Sequence, residues 1–398
     1  MNSDVLYVDV TIVGAGLVGL AAAVAMHQAG YSVVLIDSKN PSKVNHTDDA
    51  WDARIYAVSP KNAQWLGSLG VWQLLNIARV GEMQAMEIYG DATQAPVVLM
   101  ASDANADNLG FVVEAKALMQ ALLKQVESLG IGTLFDSACE AIKITDRNAT
   151  LKLANQQLIE STLLLGADGS RSWVRQQLNI PTQQKSYEQT AIVANFNCER
   201  PHAHIARQWF SHDSLGKNSI LAWLPLPDNT ISIVWSVSTG LADTLLALSD
   251  ADFTKQVMAA GGAELGDLKL LGATAVYPLN LQKTDVFVHD CAVLVGDAAH
   301  QVHPMAGQGV NLGFRDVIDL IEIIKDKSQY QAINDSSLLK RYARLRKADM
   351  LNMLVLTDGL YTLFASQNVA IKKVRNWGLS ATNHQVIKKM LVANAIAL

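Results

Sequence analysis

Apolar and polar positions along this chain follow two periods, and the switches between them mark its elements. Val8 to Val13 is a short strand-like run, and after Gly14-Ala15-Gly16-Leu17-Val18-Gly19 the pattern predicts an alanine-rich helix to about Gln28. Gly30 stands where a helix-ending glycine belongs, and Ser32 to Ile36 reads as a second strand closing on Asp37. Asn40 to Asp52 is polar and irregular, a loop. Leu109 to Val126 predicts an extended start leading into a helix, and Leu163-Leu164-Leu165 a buried strand entering the turn Gly166-Ala167-Asp168-Gly169. Between about Tyr187 and Leu281 the period shortens to two. Ile231, Ile233, Trp235 and Val237 alternate with mostly polar neighbours, as in a half-buried antiparallel strand, and Pro227-Asp228-Asn229 is the turn from Ser219 to Leu226. Parallel-sheet texture returns at Ala292 to Val295, ahead of Gly296-Asp297 and a helix from about Gln308 to Lys325. From Ser336 onward the pattern is helical, with apolar residues concentrated at Met350 to Ala365.

These elements predict an α/β protein: a Rossmann-like nucleotide-binding domain with a parallel sheet, an inserted antiparallel β-rich substrate domain, and C-terminal helices. The expected boundaries are 1–75, 105–182 and 284–335 for the first, 76–104 and 183–283 for the second, and 336–398 for the helices. A length of 398 residues allows two or three domains. Val10 to Met26 carries no charge over 17 residues, close to the lower limit for a membrane span. Three glycines within it favour strand, turn and helix over a single spanning helix.

A net charge of −5 argues against a nucleic-acid binder. Cys139, Cys198 and Cys291 are odd in number and widely spaced, so neither a disulfide framework nor a CxxC pair is expected. Asp4 and Asp9 precede the first apolar run with no Lys or Arg, unlike a secretory signal, and a cytoplasmic location is expected. Charge is uneven. Residues 336–398 carry ten Lys and Arg against Asp349 and Asp358, a surplus of eight, which suggests contact with an anionic surface or a solvated helical cap.

The glycine pattern carries the chemistry. Gly14 permits a tight turn, Gly16 lets backbone approach a pyrophosphate, and Gly19 allows close helix packing. The phosphates would sit on the positive end of the helix. Asp37, 23 residues after Gly14, can accept from ribose hydroxyls. Asp168 and Asp297 each follow a strand, where an acid can bind ribityl or ribose hydroxyls. The run from His303 to Asp316 places Gly309, Asn311 and Leu312 at a glycine loop ahead of a helix, whose N–H groups suit an electron-rich ring edge.

With these residues, the chain resembles the class A FAD-dependent aromatic hydroxylases, the family of para-hydroxybenzoate hydroxylase. The His303 to Asp316 run resembles the signature of the ubiquinone-biosynthesis ring hydroxylases, and Arg54, Leu69-Gly70-Val71-Trp72, Leu224-Pro225-Leu226, Tyr342 and Arg346 also fit. The resemblance implies FAD, with Gly14, Gly16 and Gly19 on the pyrophosphate and Asp37 on the adenosine ribose. Arg54 would lie along the cofactor, Asp168 would serve both FAD and NAD(P)H, and Asp297 would hold the ribityl chain. Gly309, Asn311 and Leu312 would face the isoalloxazine, and backbone at Pro304 would meet the phenol oxygen. Where relatives often carry Asn and Gln in the helix opening after Glu114, this chain has Ala115 and Met119.

The implied reaction uses dioxygen and an electron donor, expected to be NAD(P)H, to hydroxylate the ring of a polyprenylated phenol through a C4a-hydroperoxyflavin. Such a substrate implies peripheral membrane contact at the inner face, or membership of a biosynthetic complex. A hydroxylase of a small soluble aromatic, or a flavin-binding scaffold without turnover, stays open. No side chain is singled out as a catalytic acid or base. Trp223 or Trp235 would wall the substrate pocket or pack in the core. His300 with His303, and His202-Ala203-His204, have metal-like spacing, but a flavin loop and a surface loop are the expected readings, and no metal is assigned.

Overall fold

The computed structural model describes residues 5–43, 50–90, 96–213, 216–301 and 309–365 (side chains to Met353), with 388, 389 and 392. In chain order the elements begin β1 (Val5–Val13), α1 (Leu17–Gln28), β2 (Val33–Ile36), β3 (Ile55–Val58) and α2 (Pro60–Ser68). There follow β4 (Gly81–Met83), β5 (Ala85–Tyr89), β6 (Val97–Met100), β7 (Gly110–Glu114), α3 (Ala115–Ser128) and β8 (Gly132–Leu134). Next come β9 (Cys139–Ile144), β10 (Ala149–Leu153), β11 (Leu158–Gly166), α4 (Trp173–Gln177) and β12 (Gln183–Cys198). Then follow β13 (Ile205–His212), β14 (Asn218–Leu226), β15 (Thr230–Ser238), α5 (Thr239–Leu246), α6 (Asp250–Ala260) and β16 (Leu268–Lys283). The last are β17 (Val288–His289), β18 (Ala292–Leu294), β19 (His300–Gln301), α7 (Gly309–Lys325) and α8 (Ser336–Ala365).

The first sheet runs β17-β18-β11-β1-β2-β8, parallel from β18 to β8, with β10 and β9 added antiparallel to β11. Its register sets Val13 beside both Gly166 and Ile36, and Gly166 beside Leu294. Four strand ends therefore lie level, and the residues that leave them are Gly14, Asp37, Ala167-Asp168 and Val295-Gly296-Asp297. Ligands of open parallel sheets bind at this carboxyl edge.

Leu20, Ala21, Ala22, Ala23, Val24 and Met26 of α1 are fully buried, because the helix is covered by the sheet, α3 and α7. That explains the uncharged run from Val10 to Met26: a helix apolar all round belongs in a core. The turn before α1 is sterically forced. Gly14 has φ +107°, and a Cβ on it would lie 2.4 Å from the Ala167 carbonyl oxygen. A Cβ on Gly19 would lie 1.9 Å from the Gly14 carbonyl oxygen.

The second sheet runs β19-β16-β12-β15-β14-β13-β5-β6, antiparallel except where β13 meets β5. One face packs on α5 and α6 through Trp223, Trp235, Phe253 and Val257. The expectation of a half-buried β15 needs correction, since Ser232 and Ser236 on its other face are buried as well. Alternation shows which residues share a face, and here both faces are covered. A third sheet, β3-β7-β4, is antiparallel.

A buried ion cluster joins α7 and α8 to the first sheet. Asp316, wholly buried, accepts from the Gly296 N–H at 2.7 Å and contacts His300 Nε2 at 2.7 Å. Its other oxygen lies 2.6 Å from Arg346 Nε, and Arg346 Nη1 also reaches Asp319 at 2.6 Å and Asp349 at 2.9 Å. Burial opposes ionisation of Asp316, but the charges of His300 and Arg346 prevail and hold its carboxyl below the usual carboxylate range.

Arg346→Met leaves these carboxylates without their cation and is expected to lower the unfolding free energy in urea by about 3–5 kcal/mol. Because the folded pKa of Asp316 is depressed, its contribution is complete above the unfolded value of about 4 and is lost as pH falls through the folded value. Thermal melts on acidification should therefore fall more steeply for the parent than for Asp316→Asn.

Candidate functional site

The level strand ends are locked to one another by hydrogen bonds. The Gly14 N–H donates to the Ile36 carbonyl at 2.8 Å and the Ala15 N–H to Asp37 Oδ2 at 2.7 Å, while Ala167 N–H donates to Val13 O at 2.8 Å. Asp37 Oδ1 accepts from the Lys39 N–H at 2.9 Å. Gly16 caps α1, and a Cβ there would meet no described residue within 4 Å. The same holds, among the described residues, for Gly309, which opens α7. Asp168 accepts from the Val174 N–H at 3.0 Å through Oδ2, and its buried Oδ1 has no partner within hydrogen-bond geometry among the described residues, although Ser172 and nearby backbone N–H groups oppose the rise that burial causes in its pKa. Burial pushes the carboxyls of Asp168 and Asp297 up; for Asp297, His300 and Arg54 oppose the shift in part.

A cavity of about 610 Å³ opens at this edge, within the size range of small-molecule sites. Gly16, Ala167, Gly169, Asp297, Gly309 and Asn311 line one end. Residues 54–59 form a side wall, and the inner face of the second sheet closes the far end with Val193, Ala206, Ala222, Leu224 and Val234. Arg54 lies over the rings of Tyr56 and Tyr277, 5.3 and 5.5 Å from their centroids. Burial drives the Tyr56 phenol up to about 12, against the lowering effect of Arg54, so it keeps its proton at neutral pH.

The FAD binding domain model matches residues 7–354, across all three sheets. The chain belongs to the FAD binding domain family. It is 34% identical to the ubiquinone hydroxylase UbiL of Rhodospirillum rubrum, over 98% of this chain and 89% of that protein. It is 33% identical to the 3-demethoxyubiquinol 3-hydroxylase of Escherichia coli, over 98% of both. Among solved structures it resembles p-nitrophenol 4-monooxygenase PnpA of Pseudomonas putida, with a TM-score of 0.75 over 98% of both chains at 17% identity, a likeness of fold.

FAD suits the groups present. The open approach at Gly16, the unspent acceptor on Asp168 and the first-turn N–H groups of α1 and α7 are what a dinucleotide with an electron-rich ring requires. Of the residues singled out from sequence in this FAD binding domain protein, Gly16, Arg54, Asp297, Gly309 and Asn311 line the cavity. Gly14, Asp37 and Asp168 stand at the strand ends beside it, and Gly19 lies in the first turn of α1, packed on Gly14. Leu312 is buried in the main core and is not among the lining residues. The Asn311 carboxamide is already occupied: Oδ1 accepts from Ser59 N–H at 3.1 Å and Asn62 Nδ2 at 2.9 Å, and Nδ2 donates to Ala57 O at 2.7 Å. It ties α7 to β3 and α2, a role that the spacing of the motif did not disclose. Ala115 and Met119 line the cavity as apolar groups.

Other expectations meet different outcomes. Trp223 and Trp235 belong to the core under α5 and α6, away from the cavity. His202 is buried rather than on a surface loop, with Nε2 2.7 Å from the Leu226 carbonyl. His300 is held by Asp316. His303 and Pro304 lie outside the described residues.

A valine at position 16 fills the open approach, so Gly16→Val is expected to weaken FAD retention by more than about tenfold while circular dichroism stays unchanged, because close backbone contact at the helix end is lost. Asn311→Ala leaves the Ser59 N–H and the Ala57 carbonyl without this side chain and takes from Asn62 Nδ2 the shorter of its two bonds to residue 311, and should cost about 1–3 kcal/mol in urea unfolding.

Proposed function

We propose that this protein is an FAD-dependent monooxygenase that hydroxylates the aromatic ring of a polyprenylated phenol in ubiquinone biosynthesis, with NAD(P)H as the electron donor. The observation that carries this reading is the continuity of the cavity, which runs from the flavin-suited strand ends into an apolar chamber under the second sheet. The names of the full-length relatives support the same substrate class.

In this reading Gly14, Gly16 and Gly19 with the first turn of α1 hold the pyrophosphate, and Asp37 holds the adenosine ribose. Asp168 serves both FAD and the nicotinamide donor, Arg54 lies along the cofactor, and Asp297 takes the ribityl hydroxyls. Gly309, Asn311 and Leu312 contribute backbone N–H groups of the α7 first turn, which needs no side chain and suits the buried Leu312. Bound FAD would relay reducing equivalents from the nicotinamide donor and activate dioxygen. The protein's part is to bind the ring beside the cofactor and to keep water out, which the apolar lining achieves.

A strain lacking this chain should accumulate a polyprenyl phenol short of one hydroxyl, seen by mass spectrometry, and the parent gene but not Gly16→Val should correct it. A normal quinone profile after deletion of this and all related hydroxylases would overturn the proposal.

A substrate of this kind resides in a membrane. No helix of the described residues is long and apolar enough to cross one, and we propose access from the membrane surface. The C-terminal basic surplus needs a correction here, because Arg346 is buried among carboxylates and offers nothing to a surface. Lys340, Arg344 and Lys347 are exposed, and helical spacing groups them on one face of α8 with Leu351, 60% exposed. Replacing the three cations with Gln should weaken binding to anionic vesicles on the order of a hundredfold, at about 1 kcal/mol per charge. Unchanged vesicle sedimentation would remove α8 as the docking element.

A further inference from the structure

The inner face of the second sheet is almost entirely apolar. Alternation along β13, β14 and β15 sends Ala206, Gln208, Ala222, Leu224, Val234 and Ser236 toward the cavity, while Trp209, Leu221, Trp223 and Trp235 turn to the helices behind. Gln208 is the exception in size and polarity. It is 5% exposed, its cross-strand neighbour is Ala222, and its carboxamide makes no hydrogen bond with any described residue. The amide opens to the cavity rather than to dry protein, and the two small alanines beside it, Ala206 and Ala222, leave room for a ligand to pair with it.

The charges around the chamber narrow what that ligand is. Arg54, Arg207 and Asp297 are the charged residues among the described lining. Arg54 and Asp297 belong to the cofactor end. Arg207 presents only its backbone: it pairs across strands with Trp223, and its Nε donates to Glu87 Oε2 at 2.9 Å on the opposite face. No cation of the described residues thus projects from the sheet into the chamber, and a carboxylate brought there would be buried without a counter-charge.

We propose that Gln208 determines substrate specificity by hydrogen-bonding a neutral oxygen, hydroxyl or alkoxy, on the aromatic ring, and that the chamber rejects rings bearing a carboxylate. This rests on the substrate reading above and adds the group that selects within it. A neutral amide can donate to or accept from such an oxygen, and it gives no compensation to an anion comparable with that of a guanidinium.

The test uses the FAD-loaded full-length enzyme and the change in oxidised-flavin absorbance on titration with three probes sharing one side chain: 2-geranylphenol, geranylbenzene and 3-geranyl-4-hydroxybenzoate. The parent should bind 2-geranylphenol most tightly. Gln208→Met, nearly equal in volume, should weaken 2-geranylphenol about tenfold, the size of one lost neutral hydrogen bond, and leave geranylbenzene unchanged. FAD content and melting temperature report whether the variant is folded, and Gln208→Asn is a second variant if it is not. Equal loss of all probes, or no loss at all, would overturn the role of Gln208 while leaving the substrate class intact. A parent enzyme that binds none of the three, or prefers the carboxylate, would overturn the proposal, and the first of these results would remove the prenylated-phenol reading with it.

Discussion

Asp316 is wholly buried, and its ionised form persists only because a cation, an imidazole and a backbone N–H converge on it. The backbone N–H belongs to Gly296, the residue before Asp297, so the carboxylate that anchors α7 also sets the loop that brings Asp297 into the cavity. The cation comes from Arg346 on α8. Packing of the two C-terminal helices is thereby coupled to the geometry of the cofactor end. An uncompensated charge at this depth is among the costlier defects a fold can carry, so the cluster acts as a single unit.

The parts of this arrangement that were readable from sequence are those with a local steric cause. Gly14 and Gly19 are demanded by contacts of 2.4 and 1.9 Å that any Cβ would make, and such demands leave a spacing that can be seen without a structure. The strand ends at Asp37, Asp168 and Asp297 were readable for the same reason, since apolar runs stop there. What the chain could not disclose is which partner a side chain meets. Arg346 counted as one more basic residue, and only its three carboxylate neighbours show it to be internal. Asn311 stood in a suggestive motif, yet its amide is consumed by Ser59, Asn62 and Ala57, residues about 250 positions away. Alternation in β15 identified two faces correctly but not that both would be covered.

The cavity joins two environments that make opposite demands. At the strand ends, helix termini and acids offer donors and acceptors of the kind a dinucleotide requires. Toward the second sheet the walls turn to Ala, Val, Ile and Leu. Arg54 sits at the junction, its guanidinium spread over Tyr56 and Tyr277 rather than locked to a carboxylate. Aromatic faces keep the cation in place at little cost in directionality, so it can remain near bound anionic groups while Asp297 feels its field.

The scarcity of ionisable groups beyond that junction follows from the chemistry. Tyr56 is pushed to about 12 and stays protonated, so it is a poor base at neutral pH. A site that had to move protons by side-chain catalysis would need a group poised near the working pH; burial drives the Tyr56 phenol away from it, and the carboxyls that burial raises toward it, Asp168 and Asp297, stand at the cofactor end. An apolar chamber suits a reaction whose difficult step is carried by a cofactor and whose substrate ring is already electron-rich, because the protein then has to orient one oxygen and exclude water. Binding selectivity consequently falls on the few neutral polar atoms that remain, rather than on charge.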